Sequence, residues 1–142
     1  MIKPGIPDNE TERLAALLEY QLNGEFEEAE YKDIVIAASD VCNVPTAFIS
    51  IIEENKQRII ASTGLNINET TRDVSFCGHT INKPAELTII SDARKDPRFS
   101  DNPLVTGEPK VVFYAGVPLV DDNGFALGTL CIMDNSPRTL TD

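Results

Sequence analysis

The segment Ser75-Phe76-Cys77-Gly78-His79 contains a thiol and the only histidine of the chain, the two most reactive side-chain types present. A Cys–His pair acts as an activated nucleophile when the imidazole reaches the sulfur. Here the two residues are two positions apart, and side chains at i and i+2 of a helix point to different sides. The spacing favours a small buried Cys77 and a hydrogen-bonding His79. A covalent or redox role for Cys77 remains the alternative.

The cysteines give little support for a metal site or a disulfide framework. Cys42, Cys77 and Cys131 are three in number and lie 35 and 54 residues apart. This spacing matches neither a disulfide framework nor a zinc motif, and one histidine with scattered cysteines does not supply four ligands. We therefore expect free thiols and no metal.

A second candidate for chemistry is the polar run from Asp92 to Pro103. Arg94 or Arg98 could fork onto the carboxylate or phosphate of a ligand. Acids and bases alternate closely in this run, which favours ion pairs within the loop itself. No glycine-rich phosphate loop or dinucleotide fingerprint occurs in the chain.

The charge excludes two classes of partner. The chain has 142 residues with 12 Lys+Arg and 23 Asp+Glu, a net charge of −11. Nucleic acids and anionic membrane surfaces both require concentrated positive charge, so we expect neither as a partner. Residues 1–42 hold ten acids and three bases, whereas the loops 63–86 and 91–110 together hold seven acids and six bases. The near-neutral loops leave both anionic and neutral small ligands open.

The periodicity of apolar residues predicts two helices followed by strands. Helices are expected over 10–22 and 27–42, and a short one over 75–82. Five strands are expected over 46–52, 57–62, 87–90, 111–120 and 125–133, the last two joined by the hairpin turn Asn123-Gly124. This order predicts an α+β domain with an antiparallel sheet and helices mainly on one face. The two long loops would cover the other face and leave a pocket.

The ends of the chain suggest where the domain sits in its protein. The N-terminus lacks the apolar run of a signal peptide, and no stretch approaches 18 apolar residues. We therefore expect a cytoplasmic domain without a membrane span. Thr141 has the character of a helix N-cap and Asp142 that of a first-turn acid. We expect one domain over 1–142, in a protein that continues past Asp142.

Several motifs in sequence resemble GAF domains, the small-molecule sensor modules placed at the N-terminus of bacterial sensor histidine kinases and diguanylate cyclases. The likeness covers almost the whole chain in the right order. Its main elements are Thr63-Gly64-Leu65, Ser75–Ile81, Asp92-Ala93-Arg94, Asp96–Phe99, Asn102–Val105, Phe113–Leu119 and Leu127–Cys131.

The resemblance implies a GAF/PAS-like antiparallel sheet of five or six strands, with a pocket opposite the N-terminal helices. Numbering the five predicted strands along the chain, the implied order is 2-1-5-4-3. It also implies a homodimer formed through helices and a C-terminal output domain. The candidate ligand-binding residues lie on the two lid loops and the strand that faces them: Phe76, Cys77, His79, Arg98, Phe99, Asn102 and Tyr114.

The implied function is regulatory and not catalytic: a small-molecule or redox sensor that controls a histidine kinase or, second, a diguanylate cyclase. Cyclic-nucleotide-binding GAF domains carry a Phe followed four positions later by Asp-Glu, which this chain lacks. In bilin-binding members a Cys is followed directly by His or another fixed residue, whereas Gly78 separates the pair here. No cofactor is therefore expected. The alternatives are a thiol enzyme like free methionine sulfoxide reductase and a ligand-free dimerisation module.

Overall fold

The computed structural model describes residues 1–22 and 28–138. The first part of the chain forms two helices, α1 (Glu10–Leu22) and α2 (Glu28–Cys42). The remainder forms strands β1 to β6 and two short helices, α3 and α4. Their bounds are Thr46–Ile52 (β1), Lys56–Thr63 (β2), Glu69–Thr71 (β3), Phe76–Thr80 (α3), Thr88–Ile90 (β4), Pro103–Thr106 (α4), Phe113–Val120 (β5) and Ala126–Asp134 (β6). Residue 27 and the expected helix start at 141–142 lie outside the described residues.

The six strands form one sheet in the order β3-β2-β1-β6-β5-β4, with every neighbouring pair antiparallel. The predicted α+β class is confirmed, and the five predicted strands lie in the predicted relative order. The structure adds β3 at the edge beside β2, where Lys56 pairs with Thr71. The sequence of β3, Glu-Thr-Thr, has no apolar residue, so periodicity could not reveal it.

The helix side of the sheet is an aliphatic layer. The helices α1 and α2 pack on β1, β2 and β6. The buried residues between them are mainly aliphatic and include Leu17, Val35, Ile49, Ile51, Ile60 and Leu127. Side chains of a strand alternate between faces, so Ile49 and Ile51 face the helices while Phe48, Ser50 and Ile52 face away from them. This layer holds the helices to the sheet.

The opposite side, which we call the lid side, is covered by the segments 63–86 and 91–110. Neither is structureless. The first contains β3, a 3-10 turn at Arg72–Val74 and α3, and the second contains a 3-10 turn at Ala93–Lys95 and α4. The 3-10 turn at Ala93–Lys95 begins at Asp92, whose Oδ1 accepts a hydrogen bond from Arg94 N at 3.1 Å. The helix α4 begins in the same way at Asn102, whose Oδ1 accepts a hydrogen bond from Leu104 N at 2.8 Å. These caps explain how a run with little periodicity folds.

The first six residues form a strap across the lid side, which the sequence did not predict. Ile2 N donates to Arg98 O at 3.0 Å, and Asn82 Nδ2 donates to Gly5 O at 3.0 Å. The strap fits closely over α3, because a Cβ added at Gly78 would lie 2.8 Å from Pro4 Cγ. The strap therefore crosses the lid side and continues through residues 7–9 into α1.

Candidate functional site

Two thiols meet in the interior of the lid side. Cys77 in α3 points down to the sheet, and Cys131 points up from β6. Their Sγ atoms are 3.6 Å apart, and each side chain is 1% exposed. Both are free thiols. Cys42 stands on α2, in the layer on the other side of the sheet.

Hydroxyl groups converge on the Cys77 sulfur. Thr129 Oγ1 donates to Cys77 Sγ at 2.9 Å and Tyr114 OH donates to it at 3.3 Å. The Tyr114 hydroxyl also lies 2.8 Å from Thr80 Oγ1. Tyr114 reaches this position by lying over Gly116, where an added Cβ would be 2.3 Å from its hydroxyl. A residue without a side chain is therefore required at position 116 for this arrangement.

The surroundings of the two sulfurs separate their acidities. Burial raises the pKa of Cys77, but hydrogen-bonding interactions with Cys131, Thr129, Tyr114 and Ser50 outweigh burial and lower it to about 7. Burial, and the neighbouring Cys77, raise the pKa of Cys131 well above its usual value. Because the thiolate is the nucleophilic form, Cys77 is the reactive member of the pair.

A chain of polar side chains ties this centre to β2 and to the start of α3. Ser50 Oγ lies 3.2 Å from Thr129 Oγ1 and donates to Gln57 Oε1 at 3.2 Å. Ser75 Oγ donates to the same Gln57 oxygen at 3.0 Å and accepts a hydrogen bond from Gly78 N. The cap of α3 is thus connected to the floor of the site through buried hydrogen bonds, which fix the orientation of both.

An open cleft leads towards Cys77. It has a volume of about 390 Å³ and lies between the loop 64–67, the segment 108–111 and the end of β6. A smaller cavity of about 20 Å³ adjoins it, with Leu65, Ile67, Pro109, Val111 and Met133 bordering both. Phe76 and Cys77 line the far end of the small cavity. A small molecule in the cleft would therefore be separated from the thiol by a space of about one water molecule.

The structure places six of the seven predicted ligand-binding residues at two locations, and the seventh, Asn102, apart from both. Phe76, Phe99 and Tyr114 form an aromatic cluster, with ring centroids 4.3 Å apart for the first two and 5.2 Å for Phe76 and Tyr114. Cys77 lies beside this cluster, through its bond to Tyr114. His79 and Arg98 instead line a separate cleft of about 380 Å³ next to β4.

Asn102 has a structural place between the two lid segments. Its side chain caps α4 through Leu104 N and donates to Val74 O at 3.0 Å. It is 2% exposed and does not border either cleft. Asn102 therefore holds the segments 63–86 and 91–110 together.

His79 faces away from Cys77, as its spacing predicted. Its Nε2 lies 3.1 Å from the carbonyl oxygen of Ile2, and its ring meets the edge of Phe99 at 4.9 Å. Cys77 and His79 therefore contact different parts of the protein. A Cys–His nucleophile pair is not formed.

The arginines of the segment 91–110 are paired within it, as the alternation of charge favoured. Arg94 donates to both carboxylate oxygens of Asp92, at 2.9 and 2.8 Å. Arg98 does the same with Asp96, at 3.1 and 2.8 Å. These hydrogen bonds lower the pKa of each aspartate. Both guanidinium groups are therefore already occupied by a carboxylate.

A buried ion triad links the lid side to α1. Arg13 Nε donates to Glu10 Oε1 at 2.7 Å, and Arg72 donates to both Glu10 oxygens. Arg72 also donates to the carbonyl oxygens of Glu53 and Glu54, at 3.2 and 3.3 Å. Burial raises the pKa of Glu10, but the hydrogen bonds from Arg72 and then Arg13 outweigh it, and the pKa lies below its ordinary value. Glu10 is thus held as a carboxylate between α1 and the turn that precedes α3.

Several residues of this site were missed from the sequence. Ser50 and Gln57 lie outside every motif, and the motifs that contain Thr80 and Thr129 do not indicate that their hydroxyls contact Tyr114 and Cys77. The alternation of β6 was the available signal, because it places Thr129 and Cys131 on one face of the strand. The salt bridge between Glu10 and Arg72 spans 62 positions and has no local signature.

Neither a cluster of metal-binding side chains nor a membrane-spanning helix is present in the described residues, 1–22 and 28–138. No group of three or more His, Cys, Asp or Glu side chains there is arranged to hold a metal ion. None of the helices in this part of the chain has the length and apolar character needed to cross a membrane.

Comparison with known proteins gives a consistent result. The family model of the GAF domain matches residues 27–142. A cyclic di-GMP phosphodiesterase from Pseudomonas aeruginosa is 40% identical over 138 residues, which make up 97% of this chain and 23% of that protein. The chain therefore spans less than a quarter of this curated relative.

Solved structures show the same fold at low identity. The GAF domain of an Acinetobacter phosphoenolpyruvate-protein phosphotransferase matches with a TM-score of 0.61 and 18% identity, over 93% of this chain and 80% of that one. A type II free methionine-R-sulfoxide reductase from Thermoplasma acidophilum matches with a TM-score of 0.65 and 15% identity, over 82% and 80% of the two chains. At such identities the likeness concerns the fold alone.

Proposed function

This chain belongs to the GAF domain family, and we propose that it is a regulatory, non-catalytic sensor domain of a cytoplasmic signalling protein. The observation that carries the proposal is the lid-side cleft of about 390 Å³, which adjoins the buried polar centre around Cys77. Ligand sites are typically concave, with apolar walls and a few placed polar groups. The cleft has apolar residues such as Leu65 and Met133 in its wall. We propose that this cleft binds its ligand without a cofactor.

The chemistry of the cleft favours a neutral or cationic ligand. Glu108 and Asp134 contribute carboxylates to its lining, and Asn66 and Asn135 contribute amides. Asp134 is partly occupied by Arg138, whose Nε donates to it at 2.6 Å. No lysine or arginine is among the described residues that line it. The electrostatic potential in this cleft is therefore unfavourable for an anion, although the near-neutral charge of the loops left anionic ligands open.

The signal would leave the site through the ion triad. A ligand that favours one arrangement of the lid segments shifts the population of that arrangement. Arg72 belongs to the turn just before α3, and its partner Glu10 belongs to α1. Any displacement of that turn must move or break this buried pair. The helices on the far side of the sheet thereby respond to events on the lid side.

The output that we propose is an enzyme of bacterial signal transduction. The sequence motifs favoured a histidine kinase and then a diguanylate cyclase. The curated relative, which is a cyclic di-GMP phosphodiesterase, adds cyclic dinucleotide turnover by hydrolysis to these outputs. A direct test replaces the matched segment of that Pseudomonas protein with this chain and measures its hydrolysis of cyclic di-GMP. In this hybrid protein, the control of cyclic di-GMP hydrolysis by the inserted chain is expected to be lost in an Arg72→Met variant.

Ligand binding is tested on the 142-residue chain by thermal shift with a panel of amino acids, nucleosides and organic acids. At least one compound is expected to raise the melting temperature. An Asn66→Trp variant should abolish that shift, because Asn66 lines the cleft. Asn68→Trp is the matched control, since Asn68 is exposed on the same loop and outside the cleft lining. A shift that survives Asn66→Trp, or no shift with any compound, contradicts the proposed site.

We also propose that the chain forms a homodimer through its helices. Leu18 in α1 and Ile34, Ile36 and Val41 in α2 are large apolar residues that are exposed, from 41% to 83%. Sedimentation velocity should show a dimer that dissociates in an Ile34→Glu variant. A monomer at all concentrations contradicts it.

The competing thiol-enzyme function is favoured by one observation, the 3.6 Å approach of Cys77 and Cys131. Such an enzyme would reduce free methionine sulfoxide to methionine with a supplied dithiol. The cavity of about 20 Å³ that reaches Cys77 is too small for an amino acid. Reduction of free methionine sulfoxide by the wild-type chain that disappears in Cys77→Ser would establish the thiol-enzyme function. If the wild-type chain does not reduce methionine sulfoxide, the non-catalytic proposal is supported.

A further inference from the structure

We propose that Cys77 and Cys131 are an oxidation site at which hydrogen peroxide forms a disulfide between α3 and β6. The sulfurs are 3.6 Å apart, and Cys131 Sγ also lies 3.6 Å from Phe48 O. Both are free cysteines, and Cys42 lies on the opposite side of the sheet. The pair is therefore isolated, so that an oxidised Cys77 has one sulfur within reach.

The surroundings of Cys77 make it the attacking sulfur. Thr129 Oγ1 at 2.9 Å and Tyr114 OH at 3.3 Å both donate to it, and hydrogen bonds of this kind stabilise a thiolate. Cys131 Sγ donates to the backbone oxygen of Phe48 at 3.6 Å, and the hydrogen bond that it receives from Thr129 Oγ1 is longer than that to Cys77, at 3.8 Å. Cys131 thus stays protonated and acts as the resolving thiol.

The path to Cys77 selects the oxidant by size. The open cleft ends at the cavity of about 20 Å³, and Cys77 lines that cavity together with Phe76 and Leu104. A space of this volume accommodates a single water-sized molecule. Hydrogen peroxide is only slightly larger than water, whereas an aromatic hydroperoxide is excluded. The geometry therefore favours hydrogen peroxide over bulky hydroperoxides and over free methionine sulfoxide.

The reaction balances in two steps. The Cys77 thiolate attacks one peroxide oxygen, so that an S–O bond forms, the O–O bond breaks, and the leaving hydroxide takes the former thiol proton as water. Cys131 then attacks the sulfur of the Cys77 sulfenic acid, so that the S–S bond forms, the S–O bond breaks, and the second oxygen leaves as water with the Cys131 proton. Two thiols and one hydrogen peroxide give one disulfide and two waters.

Closing the bond is expected to pull α3 towards the sheet. A disulfide has a sulfur separation of about 2.05 Å, so the two sulfurs have to approach by about 1.5 Å. The helix α3 is five residues long and lies between the strap at Pro4 and the turn that holds Arg72. β6 is a central strand of the sheet and is the less movable partner. That this movement acts as a signal rests on the proposed sensor function, whereas the disulfide chemistry does not.

The test oxidises the reduced 142-residue chain with hydrogen peroxide, blocks free thiols and maps the linked peptides by mass spectrometry. A Cys77–Cys131 link is expected in the wild-type chain, with the loss of two hydrogen atoms. It should form unchanged in Cys42→Ser. A link that involves Cys42, or irreversible oxidation of Cys77 without any link, overturns the proposal. Because this readout uses the wild-type chain, it does not depend on a variant that folds.

Two further arms examine the roles of the sulfurs and the size of the path. In Cys131→Ser, Cys77 should accumulate as a sulfenic acid, which dimedone captures once the peroxide is removed and the chain is unfolded in urea, whereas Cys77→Ser should give no capture at Cys131. Cumene hydroperoxide should oxidise the pair at least tenfold more slowly than hydrogen peroxide. Equal rates for the two oxidants would show that the small cavity is not the path.

Thr129 is a positioning residue, and its test is a pH profile. In Thr129→Val the midpoint for peroxide reaction should move to higher pH, and the rate at neutral pH should fall about tenfold for each unit of that movement. Thr63→Val is the matched control, because Thr63 lies in β2 and has no contact with either sulfur. An unmoved midpoint in Thr129→Val contradicts the assignment of Cys77 as the attacking thiolate.

Failure here is distinguishable from failure of the sensor proposal. Reduced wild-type chain and a Cys77→Ser/Cys131→Ser double variant are compared in the ligand panel. If the chain forms no disulfide but both proteins give the same thermal shift, the oxidation site is wrong and the ligand site stands. If the disulfide forms but the grafted Pseudomonas enzyme does not respond to peroxide, the chemistry stands and its regulatory meaning is wrong.

Discussion

The two faces of the sheet carry different types of side chain. On the helix side, Ile49, Ile51 and Ile132 meet the aliphatic faces of α1 and α2. On the lid side, the same strands contribute Ser50, Thr129 and Cys131, which meet Tyr114 and the short helix α3. Strand alternation allows one chain to serve both purposes. The helix side is therefore built for stability, whereas the lid side keeps buried polar groups that stability alone would not require.

The buried hydroxyl and amide groups around Cys77 are hydrogen-bonded to one another. Gln57 Oε1 accepts from Ser50 and Ser75, and Thr80 contacts Tyr114. A half-satisfied network is costly, so each member constrains its neighbours. A change at one point should therefore propagate across the lid side, while the helix side responds to changes of volume.

The largest effect is expected on the helix side, from Gly128→Ala. Gly128 in β6 lies beside the helix-side residues Ile49 and Leu127, and a Cβ there would be 1.9 Å from Ser50 O. The obstacle is the backbone of the neighbouring central strand, which cannot rotate away. We expect a loss of more than about 4 kcal/mol, or failure to fold, measured by urea denaturation.

Gly124→Asn provides the contrast for Gly128. Gly124 has a φ of +86° in the turn between β5 and β6, and a Cβ there meets nothing within 4 Å. Asparagine tolerates positive φ, so the cost should be within about 1 kcal/mol. Equal losses for the two glycine variants would contradict the role of close strand approach.

The second largest effect is expected where the two sides are joined, from Glu10→Gln. This change leaves the buried guanidinium groups of Arg13 and Arg72 without their carboxylate. Breaking a buried ion pair in this way costs about 3 kcal/mol or more, which urea denaturation will show. Glu12→Gln is the matched control, because Glu12 is exposed in the same turn of α1. A loss of less than about 1 kcal/mol for Glu10→Gln would contradict the triad.

The same triad predicts a dependence on pH. The pKa of Glu10 in the folded chain lies below its ordinary value of 4.5, because hydrogen bonds from Arg72 and Arg13 outweigh burial. Its contribution to stability is complete above that ordinary value and is lost as the pH falls through the lower folded value. The stability of Glu10→Gln should therefore fall less steeply with acid than that of the wild-type chain, below about pH 4.5.

The sequence was sufficient for the fold because the fold depends on repeated apolar patterns. The helix predicted over 10–22 is observed at Glu10–Leu22, and the strand predicted over 46–52 is observed at Thr46–Ile52. The edge strand β3 and the helix α4 lack such patterns, since three polar residues form one and an Asn cap starts the other.

The candidate site was only partly predictable, because it depends on contacts between distant segments. Motif reading found Cys77, Phe76 and Tyr114, which lie together. It could not find that Cys131 and Thr129, more than 50 positions away, point at the same sulfur. It also grouped His79 and Arg98 with these residues, although they line a different cleft.

A smaller effect on stability, with a clear effect on chemistry, is expected on the lid side from Gly116→Ala. The obstacle here is the side chain of Tyr114, whose hydroxyl lies 2.3 Å from the added Cβ. A shift of Tyr114 should cost about 1 to 3 kcal/mol. It should also raise the pKa of Cys77 above about 7, because one hydrogen bond to the sulfur is lost. Thiolate absorbance against pH measures this change.

Tyr114→Phe separates the two consequences of Gly116→Ala. It removes only the hydroxyl, so the pKa of Cys77 should rise while the packing of the ring on Phe76 is retained. If neither variant moves the thiolate midpoint, the Tyr114 hydroxyl does not stabilise that thiolate.

The smallest effect concerns His79, at the outer surface of the lid side. Burial lowers its pKa, the hydrogen bond to Ile2 O raises it, and Arg98 lowers it, with a net value below the ordinary 6.5. Because it is the only histidine, its midpoint can be read directly by NMR. Its contribution to stability is complete above 6.5 and is lost as the pH falls through the lower folded value.

Arg98→Gln should raise the midpoint of His79, because it removes a nearby positive charge and frees the carboxylate of Asp96, which also faces the imidazole. Cys77→Ser should leave that midpoint unchanged, since the two residues face different cavities. If the titration midpoint of His79 moves in Cys77→Ser, the outer surface of the lid side is coupled to the thiol centre. The lid side would then respond as one unit from His79 to Cys77, in contrast to the helix side.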